Sequence, residues 1–75
     1  MTAKVEAKIF DVYDNIHRLG VAHNDVRAEN VLIAQPEGSV WIIDFEHAGR
    51  VDEVVANVER ENVKEMLRKV RNKRP

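Results

Sequence analysis

The chain has no cysteine among its 75 residues. That excludes a disulfide framework and any thiolate metal site, and it suits a reducing setting. Long apolar runs are also missing: the longest, Val31–Ala34 and Val40–Ile43, are far too short to span a bilayer. The opening Met1-Thr2-Ala3-Lys4-Val5-Glu6 lacks the apolar stretch of a signal peptide, so a soluble, cytoplasmic protein is expected. Neither sign of charge prevails. Twelve basic and 13 acidic residues leave a net charge of −1, which argues against a global pull towards nucleic acid or an anionic membrane. The glycines, Gly20, Gly38 and Gly49, form no glycine-rich loop.

What is present is enough apolar material to fold. A hydrophobic content of 44% is ordinary for a globular protein. Residues 1–75 make at most one domain, and a chain of this size buries only about 60% of its unfolded surface, so its core is thin. Val5, Ile9, Val12, Tyr13, Ile16 and Leu19 recur at helical spacing and predict an amphipathic helix from about Thr2 to Leu19. Thr2 can cap its start and Gly20 can stop it in a left-handed conformation. Arg18, one turn after Asp14, adds a small electrostatic gain at the helix end.

Val21-Ala22-His23 reads as an extended entry into an ordered polar loop, Asn24 to Asn30. Val31–Ala34 and Val40–Ile43 are rich in β-branched residues and predict strands, with Gln35-Pro36-Glu37-Gly38-Ser39 as the turn of an antiparallel hairpin. A second helical stripe, Val51, Val54, Val55, Val58, Val63, Met66, Leu67 and Val70, predicts a helix over about 52–72 with Asp52 as its cap. The basic tail Arg68-Lys69-Val70-Arg71-Asn72-Lys73-Arg74 has no interleaved aromatics and reads as a solvated helix end. The fold class is therefore α+β: helix, loop, hairpin, helix.

Two segments carry the chemistry. His23-Asn24-Asp25-Val26-Arg27-Ala28-Glu29-Asn30 is followed, one hairpin later, by Ile42-Ile43-Asp44-Phe45-Glu46. This pairing resembles the H-R-D-L-x-x-x-N catalytic loop and D-F-G metal-binding strand of protein kinases. Residues 4–46 carry the resemblance, which covers the central part of a protein-kinase-like C-lobe. Val26-Arg27-Ala28-Glu29-Asn30-Val31-Leu32 resembles the L-K-P-E-N-I-L stretch of protein kinases, and Asp25-Val26-Arg27-Ala28-Glu29-Asn30 is especially similar to fungal kinase-like proteins. His23-Asn24-Asp25 with Ile43-Asp44-Phe45-Glu46 also resembles choline/ethanolamine and aminoglycoside kinases.

The resemblance implies roles residue by residue. Asp25 is the catalytic residue that orients the acceptor hydroxyl and takes its proton. Asn30 and Asp44 are the Mg²⁺ ligands, hard oxygens for a hard cation. Arg27 contacts the transferred phosphate, where a cation suits developing charge. ATP and Mg²⁺ are the implied cofactors, and an unidentified hydroxyl, on a protein or a small alcohol, is the acceptor. His23 implies a buttress for the loop, Glu29 a structural ion pair and Phe45 a core residue. His17 and His47 read as surface or satisfied polar residues. Taken singly, Asp25 and Asn30 are ordinary turn residues, Asp44 a strand-end cap and Arg27 an exposed loop cation.

The departures from the family pattern shape the expectation of function. Asn24 stands in place of the Arg that couples the loop to a phosphorylated activation segment, and Glu46 in place of a permissive Gly. The glycine-rich loop and phosphate-binding lysine belong to an N-lobe that would precede Met1, so the expectation is a truncated phosphotransferase core. Losing one preorganised charge contact typically lowers rate by about 10²–10³, so the chain alone is not expected to turn over. A second reading is a non-catalytic kinase-like binding module that meets a partner through the surface where the missing lobe and helices would sit. Under either reading the thin core leaves apolar surface around Val40, Trp41 and Val54–Met66 exposed unless a second chain covers it, so self-association or a partner chain is expected. A third is a metal-dependent hydrolase built from His23, Asp25, Asp44 and His47.

Overall fold

In the computed structural model, which describes residues 2–72, two long helices enclose a small core and a hairpin covers one side. The first helix, α1, spans Ala3–Arg18. Thr2 Oγ1 accepts the Val5 amide at 3.2 Å, and Gly20, at φ +87°, takes the left-handed stop that a side chain would resist. Asp14 does not pair with Arg18. It accepts instead from Arg60 Nη1 on the second long helix, and the Arg60 guanidinium also lies 4.9 Å over the Phe10 ring. A cation that both bridges two helices and covers an aromatic face does more than an exposed pair within one helix.

After β1 (Val21–Ala22) comes the polar loop, which closes in a 3₁₀ turn at Ala28–Asn30. The hairpin follows as β2 (Val31–Ala34) and β3 (Ser39–Ile42), in the register Val31↔Ile42, Leu32↔Trp41 and Ile33↔Val40. Period-two alternation sends Val31, Val40 and Ile42 towards the helices, leaving Leu32 and Trp41 exposed. Ile43 lies just beyond the strand. Its amide still donates to Asn30 O at 2.9 Å, but Asp44 then turns the chain away at φ +63°.

One pairing has no counterpart in the sequence reading. β4 (Gly49–Arg50) returns antiparallel to β1, with Val21↔Arg50 and Ala22↔Gly49, and the Val51 amide donates to Gly20 O. Val51 therefore belongs to this tie rather than to the helical stripe. The final helix, α2, spans Glu53–Asn72, capped by Asp52 Oδ1 on the Val55 amide at 2.8 Å. Lys73 and Arg74 of the basic tail lie outside the described residues.

Ile9 and Tyr13 of α1 meet Val63, Met66 and Leu67 of α2 to form the buried core. The apolar surface expected around the hairpin and α2 divides accordingly. Trp41, Val54 and Val58 are exposed, whereas Val63 and Met66 are buried and Val40 packs on the core. Among the described residues no helix is long and apolar enough to cross a membrane.

Candidate active site

The polar loop is held from three directions, and His23 is the centre of the hold. Its side chain is fully buried. Nε2 lies 2.8 Å from Ile43 O and Nδ1 accepts the Asp25 amide at 3.2 Å, which fixes the proton on Nε2. The ring also meets Tyr13 and Phe45 edge-on, with centroids 6.2 and 4.7 Å away. His23 is thus a buttress between loop and hairpin, as its resemblance implied. Both ring nitrogens are occupied, so it has no lone pair for a metal. Among the described residues no three His, Cys, Asp or Glu side chains gather as a metal site. The geometry thus gives the hydrolase reading no support among the described residues.

Asp25 and Asn30 are in direct contact. Asn30 is almost wholly buried, and its Nδ2 donates to Asp25 O at 2.9 Å and to Asp25 Oδ2 at 3.2 Å. Arg27 Nε stands 3.1 Å from the other oxygen, Asp25 Oδ1. The carboxylate is thereby fixed in direction while remaining part-exposed. The Arg27 side chain is itself more than half exposed, free to meet an anion as well as Asp25.

Because Asn30 Nδ2 is engaged, its Oδ1 is the atom left to accept from or ligate another group. Asp44 joins it through the hairpin, as the residue directly after Ile43, whose amide bonds to Asn30 O. Asp44 is exposed and has no hydrogen bond or ion pair among the described residues. Its left-handed φ of +63° is one that Asp and Asn tolerate better than other non-glycine residues. The structure therefore brings Asp25, Arg27, Asn30 and the backbone of Asp44 to one end of the hairpin. Phe45 is not a core residue: it is 42% exposed and covers the open side of the His23 ring. Glu29 is exposed and takes part in no ion pair among the described residues. His17 is a satisfied polar group, and His47 an exposed one 3.3 Å from Glu46.

The residue that sequence reasoning missed is Glu59, in the middle of α2. Its buried carboxylate accepts the His23 amide at 2.9 Å, the Asn24 amide at 2.8 Å and His17 Nε2 at 2.8 Å. Burial alone pushes its pKa up. The hydrogen bonds from the Asn24 and His23 amides and from His17 outweigh that burial and hold the carboxyl below its ordinary 4.5. The signal lay in the spacing. Glu59 falls four residues after Val55 and four before Val63, on the inward stripe of the helix where a solvated acid does not belong.

Beside it, burial and then the charges of Glu59 and Asp25 push the Tyr13 hydroxyl up to about 12. That hydroxyl has no hydrogen-bond partner among the described residues.

The order of helix, polar loop, hairpin and helix is consistent with a protein-kinase-like family. The pattern that defines the lipopolysaccharide kinase (Kdo/WaaP) family, a protein-kinase-like family, matches residues 3–74, and the chain belongs to that family. No curated protein and no solved structure matches the chain significantly. The likeness to fungal, choline/ethanolamine and aminoglycoside kinases stays one of motifs.

Proposed function

We propose that residues 23–47 form the acceptor side and the metal side of a phosphotransferase site that passes the γ-phosphoryl of ATP to a hydroxyl. What supports this reading is the Asp25–Asn30 contact at the end of the hairpin that also carries Asp44. Asp25, aimed by Asn30 and Arg27, orients the acceptor hydroxyl and takes its proton as the oxygen attacks the γ-phosphorus and ADP departs. Arg27 stands by to neutralise charge on the transferred phosphoryl. The family name makes a sugar hydroxyl of lipopolysaccharide the first acceptor to test.

The donor set fits Mg²⁺. This ion takes one or two protein oxygens and completes its shell with water and phosphate, rather than sitting in an all-protein cage. Asn30 Oδ1 and the Asp44 carboxylate would hold it, and when bound it would neutralise the phosphate oxygens. The described residues contain no glycine-rich cover and no strand lysine for those phosphates. Grip on the nucleotide is correspondingly weak in this chain by itself.

The test is a thermal shift with Mg·ATP on the purified 75-residue chain, beside a phosphate-transfer assay. Stabilisation follows RT ln(1 + [L]/Kd), so millimolar ligand against a millimolar Kd gives about 0.4 kcal/mol. The expected result is a shift of that size, lost in Asp44→Asn, with no transfer by the chain alone. Robust turnover that depends on Asp25 would refute the weak-grip account and make the chain an enzyme in its own right. A shift that Asp44→Asn leaves untouched would place the nucleotide elsewhere.

A further inference from the structure

Asn24 occupies a position that its neighbours define unusually tightly. Its backbone is left-handed, at φ +68°, a conformation that most side chains resist and that is easiest for Gly, Asn and Asp. That turn sends its two polar groups in opposite directions. The backbone amide donates to Glu59 on α2 at 2.8 Å, and side-chain Nδ2 donates to His47 O at 3.0 Å, three residues past Asp44. Glycine would satisfy the backbone but not reach His47, whereas aspartate would reach it without a proton to donate.

The segment that receives this bond is built to come close. A Cβ on Gly49 would stand 3.3 Å from Asn24 Nδ2, a tight approach, so the absence of a side chain there leaves room for the amide. Gly49 pairs with Ala22, and Val51 donates to Gly20, so the chain just before His23-Asn24 is zipped to the chain after Asp44. Within residues 44–48 the other hold on the loop is the Phe45 ring, edge-on to His23 at 4.7 Å. Asp44 to His47 are all exposed, and Ala48 donates to Phe45 O in a local turn.

We infer that Asn24 is a positioning residue: it latches the segment carrying Asp44 to the loop carrying Asp25, and so sets the separation of the metal ligand from the acceptor base. The inference rests on the site reading above. It adds that the alignment is built in by an unmodified amide and needs no covalent switch.

The experiment compares wild type with Asn24→Gly, Asn24→Asp and Gly49→Ala in the full chain, by amide hydrogen exchange and by the affinity of Mn·ATP, the probe for the metal site. One hydrogen bond is worth about 0.5–1.5 kcal/mol, which is roughly a two- to thirteenfold change. Exchange at Ala48 should accelerate by that factor in both Asn24 variants, and less in Gly49→Ala, while Ile9 to Tyr13 in α1 hold their rates. Mn·ATP affinity should fall in parallel. Unchanged exchange at Ala48, or an equal rise throughout α1, would overturn the latch. Unchanged Mn·ATP affinity in the variants would overturn the positioning role. Absence of Mn·ATP binding in wild type would instead refute the site reading and the positioning role with it, whereas the latch stands or falls on exchange alone.

Discussion

The loop that carries Asp25 and the segment that carries Asp44 sit side by side and are held in opposite ways. From His23 to Asn30 the loop is anchored by buried groups: the His23 ring, the Asn30 carboxamide and the Glu59 carboxylate beneath them. From Asp44 to His47 every residue is exposed, and the ties are the Phe45 ring on His23, a side-chain amide on the His47 carbonyl and a short strand pairing just beyond. Under the proposed function, the difference suits the two halves to different tasks. Orienting a hydroxyl and accepting its proton needs a fixed carboxylate, because misplacement by an ångström is costly in rate. Receiving a hydrated cation with its phosphates needs exposed oxygens that adjust on binding.

Breaking the buried half has the largest expected effect. Glu59→Gln removes the charge that accepts three hydrogen bonds and turns an NH₂ towards donors that need an acceptor. Bonds to charged groups contribute about 1.5–3 kcal/mol each, with strong non-additivity, so we expect a loss on the order of 3 kcal/mol in urea unfolding. The same carboxylate gives a pH dependence. Because folding lowers its pKa, its contribution is fully present above 4.5 and fades as pH falls through the lower folded value. Urea midpoints measured between pH 7 and pH 3 should therefore converge for wild type and Glu59→Gln. A constant gap across that range would contradict the role given to the charge.

An opposite, smaller effect sharpens the comparison within the buried half. Tyr13→Phe removes a buried hydroxyl without a hydrogen-bond partner and keeps the ring against His23. A neutral or slightly stabilising change, up to about 1 kcal/mol, is expected by urea denaturation. A loss above that would show that the hydroxyl has a partner after all.

How much of this was legible in the sequence follows the same division. Both helices and the hairpin were readable, because Val5, Ile9 and Tyr13 or Val55, Val63 and Met66 repeat at a period set by local geometry. The residues of the site were readable as a spacing, His23 to Asn30 and then Asp44. What the spacing could not reveal were the partners that come from elsewhere in the chain. Glu59 sits on the inward stripe of α2 and so stands out as an acid, but its partners His17, His23 and Asn24 emerge only when α2 is folded against the loop. Arg60 took Asp14 from Arg18 for the same reason, since an inter-helix contact leaves no trace in local periodicity. The pairing of Val21–Ala22 with Gly49–Arg50 was hidden because two-residue strands are too short for a pattern.

The central claim is that the exposed segment and the buried loop converge on one cation with its nucleotide, and paramagnetic broadening by Mn·ATP tests it most directly. In ¹⁵N spectra of the chain, the Asn30 side-chain and Asp44 backbone signals should broaden before any in α1 or at the hairpin turn, and Asp44→Asn should abolish the effect. Asp44→Asn should leave urea stability within about 0.5 kcal/mol, as for other exposed positions, so its loss of broadening would not be a loss of fold. Broadening that begins elsewhere, or that persists unchanged in Asp44→Asn, would contradict the account.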